Sequence, residues 1–155
     1  MLPPKTNFIV LPDVMLKQMA KPMAVQACPC EKVDASRKPL TFAACCARYL
    51  NDFENTPAPD AESLMRSRYC AFVLNRSVYL LATWHASTRP AEVRQDDSTQ
   101  WLGLNVRRHT VNDANHAEVE FVARYRTAGR GVRLHERSRF VCEAGRWYYV
   151  DGDLL

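Results

Sequence analysis

The apolar periodicity of this chain changes once, and that change limits the folds open to it. Leu64, Met65, Tyr69, Phe72 and Val73 recur at spacings of three, four and seven, the signature of a helix with one apolar face. Asp60, followed by Ala61, Glu62 and Ser63, supplies a capping carboxylate and a first-turn acid for its start. Arg66 and Arg68 decorate other angles of this helix. A second helix is predicted from Ser77 through Leu80, Leu81 and Trp84, ending before Pro90, which disfavours helix in the residue ahead of it.

From residue 101 the period becomes two. Strands are predicted at 101–110, 117–126, 132–142 and 147–151, separated by turn signals at 112–115, 129–131 and Gly145. Val119, Phe121, Ala123 and Tyr125 alternate with Glu118, Glu120 and Arg124, so this strand is half-buried. Leu134, Glu136, Ser138 and Phe140 share one face of the next strand, with His135, Arg137, Arg139 and Val141 on the other. Matching apolar faces across the hairpin puts Leu134 near Tyr125 and Phe140 near Val119, because a slip of one residue would bury Arg137 and Arg139. It also points Glu136 and Ser138 toward the covered face, where a carboxylate needs a partner or a proton. The loop at Gly145 admits two or three residues, leaving both faces of Trp147-Tyr148-Tyr149 open. Helices first and a meander afterwards specify an α+β fold, with N-terminal helices packed on a curved antiparallel sheet.

Ahead of this body lie four thiols in nineteen residues: Cys28-Pro29-Cys30 and Cys45-Cys46, flanking a polar loop over 31–39. Two thiols one residue apart, met by two adjacent thiols from the far side of a loop, can reach the tetrahedron that zinc requires. No window of the chain attains the roughly 18 apolar residues of a membrane span, and no export signal is seen. The cytoplasm is therefore the expected compartment, where clustered cysteines bind metal more readily than they form disulfides. A four-thiolate site is closed to substrate, so the expected zinc is structural. Residues 1–27, with Pro3, Pro4, Pro12 and Pro22 and no sustained period, read as a poorly ordered leader, and translation starting at Met23 would remove most of it.

These residues also carry a resemblance. The Cys-Pro-Cys and Cys-Cys pairs resemble the SEC-C motif, a small zinc-binding module. The segments AESLMRSRY at 61–69, YLLATWH at 79–85, WLGL at 101–104, FVARY at 121–125, LHERSRF at 134–140 and WYYVDG at 147–152 look like the YchJ-like family. That resemblance implies a SEC-C zinc knuckle over 28–50, ligated by Cys28, Cys30, Cys45 and Cys46, before a cone-like domain over 51–155 similar to nuclear transport factor 2. The chain departs from the motif in two places. Glu31-Lys32-Val33-Asp34 replaces the usual Gly-Ser-Gly-Lys, and the loop before Cys45 is longer.

Outside the thiol pairs, Cys70 and Cys142 fall within a helix and a strand and read as small core or surface residues. Arg66, Tyr69, Trp84, His85 and Glu136 are the candidates for a pocket inside the cone, although for His85 a capping role at the end of a helix is favoured over the mouth of the cone. For Glu136, a structural ion pair with Arg66 or Arg68 is favoured over an acid or base. The net charge of +4 includes three Lys against one Asp in the first 22 residues, too little elsewhere to argue for nucleic acid. No phosphate loop, nucleophile elbow or hydrolytic triad stands out. The leading functional expectation is a zinc-binding interaction or adaptor module that meets a protein partner through the knuckle, and not an enzyme. The alternative is a small-molecule binder or enzyme using the cone's interior, with Glu136 as acid or base. Nothing in the sequence sets the oligomeric state.

Overall fold

The computed structural model describes residues 22–155. The expected leader and the question of Met1 or Met23 as the start lie almost wholly outside these residues. The part inside, 22–27, belongs to the knuckle: Met23–Val25 forms a 3-10 turn, Ala27 bridges Thr41, and the Gln26 carbonyl accepts from the Phe42 amide at 2.8 Å.

Three helices follow: α1 (Ala47–Asn51), α2 (Ala61–Val73) and α3 (Ser77–Ala82). Helix α2 begins where its sequence specifies, with the Asp60 carboxylate accepting from the Ser63 amide at 2.6 Å. Four antiparallel strands complete the chain: β1 (Gln100–Val111), β2 (His116–Thr127), β3 (Arg130–Glu143) and β4 (Arg146–Leu154), paired in sequence order as a meander. Register shifts at Trp101/Gly103 and Val106/Arg108 in β1, and at Arg139/Phe140 between β3 and β4, are the local kinks that bend a sheet. Helix α2 packs across β1, β2 and β4, so the architecture is the α+β cone expected from the change of period.

The faces of β2 and β3 are as expected, but their pairing is corrected by two residues. Leu134 lies opposite Ala123 and Phe140 opposite Ala117, not Tyr125 and Val119. The cause is the turn. Ala128 (φ 47°) and Gly129 (φ 74°) both take positive φ, giving the two-residue primed turn that matches strand twist, where a longer loop had been expected. Because the error is two residues and not one, Glu136 and Ser138 still face inward. The β3/β4 hairpin closes the same way at Ala144 (φ 50°) and Gly145 (φ 74°), pairing Cys142 with Trp147 and Phe140 with Tyr149. Tyr149 thereby points inward, its ring 5.8 Å from that of Phe140.

The knuckle and the cone are not separately packed. Cys28, Cys30, Phe42, Cys45 and Cys46 belong to the same buried cluster as Leu64, Tyr69, Leu80, Val119 and Phe140.

Candidate metal centre and ligand cavity

The knuckle backbone is held by short local bonds. The Cys28 amide donates to the Leu40 carbonyl (2.8 Å), the Glu31 amide to the Cys28 carbonyl (3.0 Å), and the Cys45 amide to the Phe42 carbonyl (3.1 Å). Asp34 closes the loop tip, its Oδ1 accepting from the Ser36 and Lys38 amides. Glu31 sits at φ 57°, in the left-handed region, at the first of the positions where the SEC-C motif has Gly-Ser-Gly-Lys. Helix α2 reaches across to this loop, with Arg66 Nη1 donating to the Cys30 carbonyl at 2.9 Å and Nε to Glu62 at 2.8 Å.

All four expected ligands converge, each no more than 5% exposed. Cys30 Sγ lies 3.6 Å from Cys45 Sγ and 3.7 Å from Cys46 Sγ, and Cys45 and Cys46 are 3.8 Å apart. Four sulfurs each 2.3 Å from one ion stand about 3.8 Å from each other, so the cluster has the edge length of a zinc tetrathiolate. The set is larger than expected, however. Cys70 of α2, read from sequence as ordinary filling, is fully buried with its Sγ 3.5 Å from that of Cys28. Among the described residues the sulfurs of Cys28, Cys30, Cys46 and Cys70 all lie within 4.8 Å of one another. Hydrogen bonding toward Cys30 from Cys28, Cys45 and Cys46 pushes its thiol well below the usual range, while the Cys70 thiol is pushed up by its contacts with Cys28 and Cys30.

On the opposite side of α2 the cone encloses a cavity of about 400 Å³, within the range of small-molecule sites. Its wall is largely aromatic: Tyr69, Phe72, Trp84, Trp101, Phe121, Tyr125 and Tyr149. Tyr69 and Trp101 meet edge to face at 5.5 Å, as do Trp84 and Tyr149 at 5.0 Å. Arg94, Gln95, Asp96 and Asp97, from the loop before β1, also line it.

Besides Arg94, Asp96 and Asp97, one charged group of α2 and one of β3 reach this cavity. Glu136 Oε1 accepts from Ser138 Oγ (2.7 Å) and from the Tyr149 hydroxyl (3.3 Å), and no described residue donates to Oε2. The carboxylate is seated by Gly152, where a Cβ would stand 2.2 Å from Glu136 Oε1 and 2.9 Å from its Cγ. Arg68 is 4% exposed, with its guanidinium carbon 5.2 Å from the Trp84 ring centroid and 4.7 Å from that of Tyr149. Its Nη1 donates to the Leu80 carbonyl (2.8 Å) and Thr83 Oγ1 (2.7 Å). Burial lowers it to about 10, which leaves it charged at neutral pH.

Three sequence expectations are corrected here. Arg66 is not in the cavity but braces the knuckle; Arg68, one step of about 200° further round the helix, takes the inward position. His85 lies outside the cavity and does not end α3. Its amide donates to the Tyr149 carbonyl (2.7 Å) and its Nε2 meets Glu143 (2.9 Å), pinning the post-helix loop to the β3/β4 hairpin. Finally, Glu136 forms no ion pair within 4 Å with Arg66, Arg68 or any other described residue. Tyr69, Trp84 and Glu136 line the cavity as expected. For Arg68 a faint sequence signal existed, since it falls on the helical arc that carries Leu64 and Tyr69; Cys70 falls about 100° beyond Tyr69, off that arc, and had none.

Fold and sites together define an α+β cone protein carrying a cysteine knuckle of metal-binding geometry. Residues 60–152 match the family model described as "YchJ, middle NTF2-like domain". A UPF0225 protein of Polaromonas sp. is 69% identical over 127 residues, covering 81% of this chain and 91% of that one. A UPF0225 protein of Bordetella parapertussis is 52% identical, covering 86% and 96%. Two solved structures are similar. A SEC-C motif containing protein from Psychrobacter arcticus has TM-score 0.70 and 32% identity, with 83% and 82% covered. Another from Rhodopseudomonas palustris has TM-score 0.67 and 30% identity, with 76% and 94% covered. The chain belongs to the YchJ-like family, together with these UPF0225 proteins. No helix among the described residues is long and apolar enough to cross a membrane.

Proposed function

We propose that this protein binds a small organic molecule in the cone cavity, and that a structural zinc ion in the thiol cluster holds the knuckle against the helix carrying the cavity wall. One observation carries the reading: an aromatic cavity of about 400 Å³ reached by Glu136 and by Arg68, a buried cation that forms no ion pair with any described residue. Buried charge of this kind is costly unless paired, so its retention beside a cavity fits a role toward an incoming group. The occupant is an aromatic or apolar body whose polar end accepts from Arg68 and donates to Glu136.

The probe 8-anilinonaphthalene-1-sulfonate supplies the aromatic body and an acceptor for Arg68, and Trp84 and Trp101 report its arrival by fluorescence. Saturable one-to-one binding is expected, lost in Leu134→Trp, which fills the cavity, and weakened in Arg68→Met. Binding that survives Leu134→Trp in a folded variant would sink the proposal. The interaction-module reading comes second and rests on the outside of the knuckle, where Val25 and Val33 are 46% and 47% exposed. Val33→Asp leaves the thiols and cavity untouched, and should weaken recovery of a protein partner only if this outer surface is used.

A further inference from the structure

We propose that Cys70 is a metal ligand in this chain, a fifth thiol sharing one corner of the tetrahedron with Cys45. The inference rests on the zinc reading above and goes beyond the four-cysteine set. Cys28, Cys30 and Cys46 are common to both possible quartets. Cys45 completes one through contacts of 3.6 Å to Cys30 and 3.8 Å to Cys46. Cys70 completes the other, 3.5 Å from Cys28 and within 4.8 Å of all three. The contacts of Cys45 to Cys30 and Cys46 match the edge of about 3.8 Å that a tetrahedral thiolate site requires, and the Cys28–Cys70 contact lies close to it, with Cys70 within 4.8 Å of the other two sulfurs.

The two thiols reach the ion from different parts of the fold. Cys45 belongs to the knuckle, whereas Cys70 projects from α2, the helix that also carries Tyr69 and Arg68 into the cavity wall. Ligation by Cys70 therefore ties the ion to the cone itself. Five thiolates for four positions let one sulfur enter as another leaves, a route for metal exchange that a closed four-cysteine site lacks. Each thiol that binds releases its proton to solvent.

The direct test loads the full chain with cadmium-113 and records scalar couplings from the metal to cysteine Hβ protons. Couplings to Cys28, Cys30 and Cys46, with Cys70 sharing the fourth place, are expected; couplings to Cys28, Cys30, Cys45 and Cys46 with none to Cys70 would overturn the inference. Failure of the wild-type chain to bind cadmium at all would instead overturn the zinc reading. Cobalt titration supplies the second arm. Cys45→Ser and Cys70→Ser should each keep a four-thiolate charge-transfer spectrum. The double variant should drop to three thiolates and lose at least ~100-fold in affinity, beyond what a lost outer-sphere partner costs. A Cys45→Ser spectrum already at three thiolates, unchanged by adding Cys70→Ser, would refute the sharing.

Discussion

Replacing Gly152 by Ala tests the geometry around Glu136 most sharply. The new methyl would stand 2.2 Å from Oε1, 2.7 Å from Cδ and 2.9 Å from Cγ of Glu136. Because Cγ is among the obstructed atoms, rotating the carboxylate alone gives no relief; the whole side chain must leave. Ser138, fully buried, then loses its 2.7 Å acceptor and Tyr149 its 3.3 Å one. A hydrogen bond to a charged group contributes about 1.5–3 kcal/mol, and the longer of these two less. Against this, Gly152 has no positive φ, so the substitution itself restricts the unfolded chain and returns about 0.4–1 kcal/mol. The expected net cost is about 2 kcal/mol. In a Glu136→Ala background the obstruction is gone, and Gly152→Ala should become neutral or stabilising by about 0.5 kcal/mol. Urea unfolding of the four proteins, followed by near-ultraviolet circular dichroism, gives the coupling directly. A coupling of about 2 kcal/mol stands well above the roughly 0.5 kcal/mol scatter of independent sites. Equal costs in the two backgrounds would show that Gly152 does not seat Glu136.

Arg68→Met should leave stability within about 1 kcal/mol of wild type, not the 3–5 kcal/mol of breaking a buried pair, because Arg68 meets no carboxylate within 4 Å, its attraction to Glu136 acting only across the cavity, and the Leu80 carbonyl keeps Thr83 Oγ1 at 3.3 Å. The same variant should weaken the sulfonate probe at least ~10-fold, about 1.4 kcal/mol; undiminished probe binding would remove Arg68 from the site. Glu31→Gly should relieve left-handed strain of about 1 kcal/mol and tighten metal binding roughly fivefold, measured by chelator competition. Hydrogen bonds from Arg139 hold the Asp153 carboxyl below the usual range. Its folded value lies below its unfolded one, so its contribution is present above the unfolded value near 3.9 and is lost as pH falls through the folded value. Arg139→Gln should raise the Asp153 midpoint in a carboxyl-carbon NMR titration, and an unmoved midpoint would count against the ion pair.

The sequence by itself determined what depends on neighbours in the chain. The Asp60 cap, the helical spacing of α2, the alternation that turns Glu136 and Ser138 inward and the convergence of two thiol pairs are all local patterns, and all are present in the structure. Period and capping act over a turn of helix or two residues of strand, so they survive uncertainty about everything distant. Even the misjudged hairpin kept its faces, because a two-residue error preserves the strand period.

Tertiary structure decided whatever required knowing how separate segments dock. Arg66 and Arg68 lie two residues apart on one helix, and only the position of the knuckle on one side and the sheet on the other sends Arg66 to the Cys30 carbonyl and Arg68 to the cavity. Cys70 is 42 residues from Cys28 and carries no spacing signal; it joins the thiols because α2 lies beneath the knuckle. Gly152 acquires its meaning only from the shift at Arg139/Phe140, which brings it opposite Ser138 and beneath Glu136. A local pattern fixes which way a side chain points. What it meets there depends on the packing of elements far apart in the chain, and in this protein that packing made one cysteine a candidate ligand and one arginine part of a binding cavity.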